Sequence, residues 1–275
     1  MRKSVYRDLI ILLTIFVASW AAFTYVPWGD IFSAPDVTVS IADEEKLGKL
    51  IVDYGILKDP TITIVRDKKI DSVMRMVTHL LVSKIGKTDF EYTFRIIKSD
   101  QVNAFTLPGG NIFIYTGLIE FCDSPEHLCA VLAHEIGHAE KRHVINKLAK
   151  ELGLSLLFSV LGGNDNVMIS EIGRTATSTV FDRAQEKEAD DFSFQLMERS
   201  RINPKALAAF FRKLTDAYGA SNEHLEILQT HPNNNSRIKA SLEYKPDTGF
   251  VEKKIDIDWS NMVSTIKNWD STQNN

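Results

Sequence analysis

Apolar residues are distributed unevenly along the chain. Residues 9–26, LIILLTIFVASWAAFTYV, form one run without a charge. As a helix this run is about 27 Å long, close to the ~30 Å hydrocarbon core of a bilayer. Arg2, Lys3 and Arg7 precede it, and Trp20, Tyr25 and Trp28 gather toward its far end, as at a membrane interface. The run is longer than an ordinary signal-peptide core, and no clean A-x-A site follows it, so an uncleaved anchor is favoured over a cleaved signal. The positive charges place the N-terminus in the cytoplasm and the rest of the chain across the membrane.

Beyond the anchor the pattern becomes periodic. Leu47, Leu50 and Ile51 give helical spacing over 43–54, with Asp43 as a cap. Residues 61–67 read as a short extended piece. Ile70, Val73, Met74, Val77, Leu80, Leu81 and Ile85 predict an amphipathic helix over 69–86, in which His79 reads as a surface histidine. Residues 91–100 alternate as a strand does. Residues 101–115 read as strand, turn and strand around Leu107-Pro108-Gly109-Gly110, and Gly117 then opens a short helix. Ser124-Pro125-Glu126 is a helix start, with a capping hydroxyl, a proline at the first position and an acid in the first turn. Leu128, Val131, Leu132 and Ala139 give that helix one core-facing side. The apolar stretch 152–161 is too short to span a bilayer, so a core helix is favoured over contact with the membrane surface. Asn203-Pro204 opens a helix from Lys205 to Tyr218, and Trp259, Met262, Val263, Ile266 and Trp269 predict a terminal helix that docks on the domain. The organisation expected is an anchor over 1–28, a linker over 29–42, a domain over 43–243, and a tail with its docking helix over 244–275.

Composition changes this picture little. The chain is 44% hydrophobic and 25% charged with net charge −4, an ordinary globular balance that gives no basic footprint for nucleic acid. The two cysteines, Cys122 and Cys129, match neither a metal spacing nor a disulfide framework and read as buried thiols. The fold class expected is α+β, mainly helical, with a small sheet.

Candidate chemistry sits on the helix that begins at Pro125. His134-Glu135-Ile136-Gly137-His138 is an H-E-x-x-H pattern, and helical periodicity stacks His134 and His138 on one face. Two imidazoles so placed can bind one Zn²⁺, and Glu135 is placed to deprotonate water at the metal. Such a short pattern occurs by chance, so its support must come from elsewhere in the chain. A second charged helix carries Arg183, Glu186 and Asp190 on one face, with Glu188 pointing elsewhere. Glu186 is the best-placed third ligand, Asp190 can orient a histidine, and Arg183 can hold a carboxylate. By spacing alone His231, in a polar loop, reads as a turn histidine, and His127, His143 and His224 as surface or capping residues.

These pieces together resemble the zinc metallopeptidase family that includes the CAAX prenyl endopeptidase and the HtpX, Oma-type and BepA proteases, over residues 43–243. The resemblance rests on Asn103-Ala104-Phe105 before Pro108-Gly109-Gly110, on Gly117-Leu118, and on the H-E-x-x-H segment. It rests further on Arg183-x-x-Glu186-x-Glu188-Ala189-Asp190 and on Thr230-His231-Pro232 before Arg237-Ile238. Asp182 departs from it, since relatives more often have Ser there. The resemblance implies a zincin-like domain with its sheet beside the active-site helix, one Zn²⁺ on His134, His138 and Glu186, and Glu135 as general base. It implies that Asn103, Ala104 and Phe105 lie on an edge strand that pairs with an extended polypeptide substrate. His231 then lies near the zinc, as a transition-state donor or as a latent ligand, with Arg183 and Asp190 in support. The function expected is a single-pass inner-membrane zinc endopeptidase, its domain on the extracytoplasmic side, acting on misfolded or unassembled envelope proteins. A latent or inactive chaperone-like scaffold is the alternative, and a zinc hydrolase of non-peptide substrates a weaker one.

Overall fold

The computed structural model describes residues 11–17, 20, 38–163, 165–219, 227, 230–231 and 234–270. The chain divides into two compact units, Met1–Thr38 and Val39–Asn275. In the first unit, residues 11–17 and 20 are helical and exposed. Among the described residues no helix is long and apolar enough to cross a membrane. The rest of the expected anchor over 9–26, and His224, lie outside the described residues.

The second unit begins with α1 (Ile41–Leu50), capped by Ser40, whose hydroxyl oxygen accepts from the Asp43 N–H. Asp43, expected as the cap, instead sits in the first turn beside the partial positive charge of the helix start. A π-helical turn, Ile51–Ile56, continues α1. Next comes α2 (Lys68–Val82), capped by Asp67. Between them the expected extended piece pairs only as an isolated bridge, Ile64 to Ile97.

The sheet has three strands, β1 (Thr93–Ile97), β2 (Ala104–Leu107) and β3 (Asn111–Tyr115), in the order β1-β3-β2. β1 runs parallel to β3, and β2 antiparallel. The β2–β3 turn takes Gly109 and Gly110 at φ of +73° and +75°, where a Cβ is strained. A Cβ on Gly48 of α1 would lie 2.0 Å from the Pro108 carbonyl oxygen, so helix and turn meet backbone to backbone.

Helices cover both faces of this sheet. On one face Ala104, Ile96, Ile112 and Ile114 pack with α2, α3 (Thr116–Phe121), α4 (Pro125–Glu140), α8 (Arg183–Arg199), α9 (Lys205–Tyr218) and α11 (Trp259–Lys267). On the other face Phe105, Leu107, Phe113 and Ile97 pack with α1, the π turn, α5 (His143–Leu152), α6 (Leu154–Gly162) and α7 (Asn166–Thr177). The two-residue period of a strand sends alternate side chains to the two cores. Leu157, Val160 and Leu161 of α6 are buried, as a core helix requires, while Phe158 is 36% exposed. The docking helix α11 is as predicted, with Trp259, Met262 and Ile266 buried.

One expectation is exceeded. α4 was expected to have a single core-facing side, but every residue from Leu128 to Ala139 is buried. It lies beneath β2 and is flanked by α2, α8 and α9, so it keeps no solvent face.

Candidate metal centre

The site is assembled where α4 crosses α8, its most extensive helix partner. The Ser124 cap and Pro125 start α4 as its sequence predicts, which fixes the phase that brings His134 and His138 to one side. Gly137 permits the crossing, since a Cβ there would lie 2.7 Å from the Ala189 carbonyl oxygen of α8. On α8, Asp182 and Gln185 form a capping box. The departure from Ser at this position therefore leaves the cap intact, because an aspartate accepts the same hydrogen bonds. Glu186 and Asp190 both reach the histidines and are both buried. A third segment delivers His231, whose N–H donates to the Ile227 carbonyl, while the Phe181 N–H donates to that of Thr230. α10 (Asn234–Glu243) brings in Arg237.

One ligand atom from each of His134, His138, Glu186 and His231 lies within 4.8 Å of the others, and all four residues are buried. The Nε2 atoms of His134 and His138 are 3.0 Å apart, and His134 Nε2 is 3.2 Å from His231 Nδ1. Glu186 Oε1 lies 3.4 Å from His138 Nε2 and 2.8 Å from His231 Nδ1. Four ligands bonded at about 2.0–2.1 Å to one tetrahedral ion stand about 3.3 Å from each other, so the donors are already spaced for a zinc-sized ion. Charge agrees with geometry. The buried carboxylates of Glu135, Glu186 and Asp190 face one buried guanidinium, that of Arg237. Where the histidines act as ligands their rings are neutral, so a divalent cation in the nest would offset the carboxylate charge that Arg237 leaves unbalanced. Glu186 Oε1 is the oxygen that faces His138 and His231, while Oε2 is ion-paired with Arg237.

The surroundings hold these donors in place. Asp190 Oδ1 lies 2.9 Å from His134 Nδ1, the carboxylate–histidine contact that orients a metal ligand. Arg237 grips Asp190 with two bonds, Nε to Oδ2 at 2.9 Å and Nη2 to Oδ1 at 2.7 Å. Its Nη1 stands 2.9 Å from Glu186 Oε2, and its guanidinium lies over the Phe211 ring. Burial works to raise the Glu186 and Asp190 carboxyls, but the charges of Arg237 and the neighbouring histidines outweigh it and hold both far below the usual range. Burial depresses the His138 imidazole well below its ordinary value. For His231 burial acts the same way but is overcome by Glu186, which raises it. The Phe181 ring stacks on His138 at 3.8 Å and fixes the plane of the imidazole.

Glu135 points into the same cluster. The Thr106 hydroxyl of β2 lies 2.8 Å from Glu135 Oε2 and 2.9 Å from its carbonyl oxygen, and Glu135 Oε1 lies 3.5 Å from His231 Nε2. A carboxylate so tethered beside a metal-sized nest has the placement of a general base.

The structure thus brings together His134, Glu135, His138, Glu186, Asp190 and His231. Arg183 does not join them. At the first position of α8 it is exposed, and no ion pair between it and the cluster is found among the described residues. Arg237, from a helix distant in sequence, takes the carboxylate-holding part expected of Arg183, because its side chain enters from the buried side of α10. Its only sequence signal was its place in the Arg237-Ile238 element of the resemblance. His143 is also corrected. It is buried rather than on the surface and bonds to His138. Asn103, Ala104 and Phe105 do lie at the edge of the sheet, and the Tyr115 N–H donates to the Asn103 carbonyl. All three are covered, at 1%, 1% and 8% exposure, so the edge is closed to an incoming strand in this structure.

Residues 66–245 match peptidase family M48. The chain is similar to the beta-barrel assembly-enhancing protease of Escherichia coli, 29% identical over 86% of this chain and 51% of that protein. It is similar to the mitochondrial metalloendopeptidase OMA1 of Schizosaccharomyces pombe, 28% identical over 64% of this chain and 53% of that one. It also resembles the metalloprotease LoiP of Escherichia coli, 30% identical over 44% of this chain and 50% of that protein. The chain spans about half the length of the curated relatives it matches.

Proposed function

Because the chain belongs to peptidase family M48, we propose that it is a zinc-dependent endopeptidase held closed by His231. The observation that carries this reading is the convergence of His134, His138 and Glu186 on one metal-sized point with Glu135 beside it. Bound there, zinc supplies Lewis acidity toward a peptide carbonyl and acidifies water. Glu135, oriented by Thr106, takes the proton of the attacking water on its carboxylate and passes it to the nitrogen of the leaving amine. Asp190 accepts from His134 Nδ1 and keeps Nε2 of that ring free as a ligand. Arg237 keeps both supporting carboxylates ionised.

A catalytic zinc keeps one position open, whereas four donors converge here. His231 is the one to give way, since it comes from a separate segment rather than from the α4–α8 pair. The covered β2 edge supports the same closed form: a substrate backbone pairs with Asn103–Phe105 only after that edge opens. The substrates proposed are extended segments of misfolded or unassembled envelope proteins, in keeping with the names of the relatives. The site proposed for the enzyme is the extracytoplasmic face of the inner membrane, tethered by the uncharged run over 9–26. A scaffold that never cleaves is the second reading, and the occupied fourth position favours it.

Zinc content and cleavage of an unfolded protein by the full chain, with Glu135→Gln and His231→Ala variants, separate the two. The enzyme reading expects about one zinc per chain, no cleavage by Glu135→Gln, and faster cleavage by His231→Ala with zinc retained. Zinc retained with no cleavage even in His231→Ala supports the scaffold. Glu186→Gln should lose the metal.

A further inference from the structure

His138 is wholly buried and has two ring nitrogens to satisfy. Nε2 faces His134 and Glu186 in the metal nest. Nδ1 faces away from it, 2.9 Å from Nδ1 of His143. The other nitrogen of His143, Nε2, lies 3.2 Å from Oε2 of Glu188, a carboxylate that is 59% exposed. Three groups therefore stand in line from the nest to the surface, and none of the chemistry above uses the outer two.

We propose that His143 and Glu188 are the outer support of His138, and that together they decide which of its nitrogens is free to hold a metal. This rests on the metallopeptidase reading and deepens it. Two facing imidazole nitrogens form a hydrogen bond only if one carries the proton and the other does not. A ligand must offer an unprotonated Nε2 to the metal, so the neutral His138 ring carries its proton on Nδ1 and donates it to Nδ1 of His143. That nitrogen must then be bare, which puts the His143 proton on Nε2, where it is donated to Glu188. The carboxylate fixes one tautomer, and that tautomer fixes the next. The reverse order would place the His138 proton on Nε2, 3.0 Å from His134 Nε2, and close the ring to a metal.

The two histidine ligands are thus supported differently. His134 has its carboxylate, Asp190, in direct contact and buried. His138 has Glu188 at one remove, with His143 between them. Local backbone makes this possible. Arg142 takes the left-handed conformation at φ 55°, which ends α4 and turns the chain so that the next residue, His143, begins α5 beneath His138. Arg142 is held there by Glu44 Oε2 at 2.6 Å and by the Val39 carbonyl at 2.6 Å. His143 is a positioning residue: it touches the ligand and acts through it.

The test is zinc affinity of the full chain by competition with a chelator, for wild type, His143→Leu, His143→Asn, Glu188→Ala and the His143→Leu/Glu188→Ala double variant. Loss of such an outer partner typically weakens metal binding about 10–100-fold, and that is expected of His143→Leu. Asparagine places an amide oxygen where His143 has Nδ1 and offers it to His138 Nδ1, so His143→Asn should stay within about threefold of wild type. Glu188→Ala, at the exposed end, should lose less than about tenfold and nothing more when added to His143→Leu. In zinc-loaded wild type the His138 Nδ1–H should give a downfield proton resonance that His143→Leu removes. Glu188 is on the surface, so its variant folds whatever His143→Leu does. Wild-type affinity in Glu188→Ala or His143→Leu, or equal loss in His143→Asn and His143→Leu, overturns the proposal. Absence of zinc from the wild type overturns the metallopeptidase reading, and this proposal with it.

Discussion

Replacing Arg237 with methionine removes one positive charge from the most crowded part of the interior while keeping most of its volume. Arg237 is 3% exposed, makes two bonds to Asp190 and stands 2.9 Å from Glu186. Without it Asp190 and Glu186 remain buried with no permanent counter-charge. Stripping one partner from a buried ion pair costs about 3–5 kcal/mol, because the remaining charge is uncompensated. In metal-free protein of this size each kcal/mol moves the melting midpoint by about 2–4 °C, so a fall of roughly 6–20 °C is expected. Zinc brings two positive charges to the same carboxylates and should recover part of the loss. The gain in melting temperature on adding zinc should therefore be larger in Arg237→Met than in wild type. Thermal unfolding of both proteins, with chelator and with excess zinc, reads both quantities. A variant that melts within about 1 °C of wild type in chelator would show that Arg237 does not carry the charge balance of the cluster. A zinc increment no larger than that of wild type would show that metal and guanidinium do not share a load.

Two further outcomes follow from the same geometry. Gly137→Ala puts a Cβ 2.7 Å from the Ala189 carbonyl oxygen and must push α4 away from α8, which carry the histidines and Glu186 respectively. It should cost about 1–3 kcal/mol in a metal-free melt and lower zinc affinity as well, and unchanged affinity would mean the crossing does not set ligand spacing. Acid should act on the metal-free protein through Glu186 and Asp190, both held far below their ordinary values of 4.5 and 3.8. Groups depressed in this way add stability above their unfolded pKa, and that stability is lost as pH falls through and below this range. Urea midpoints should therefore drop from about pH 4.5 downward, and less steeply in a Glu186→Gln variant.

Much of this molecule can be read from local patterns. The cap, proline and acid before Leu128 start α4 where the structure starts it, and helical period alone puts His134 and His138 on one face. The same period separates Glu186 and Asp190, which enter the cluster, from Glu188, which stays at the surface. The turn at Pro108-Gly109-Gly110 and the docking helix α11 are equally local, because capping, φ and periodicity are properties of a few neighbouring residues. What the tertiary structure decided is which distant groups meet. His231 and Arg237 lie 97 and 103 residues from His134, and no periodicity reaches that far. By spacing, Arg183 is the arginine suited to hold a carboxylate, and Arg237 carries no such signal. Only the packing of α10 against α8 sends one inward and leaves the other in solvent. His143 follows the H-E-x-x-H helix closely, yet its role depends on a left-handed turn at Arg142, held by Glu44 nearly a hundred residues earlier. Burial of α4 on every side, and closure of the β2 edge, are likewise set by what packs around them, since the exposure of a residue belongs to its neighbours in space rather than in sequence.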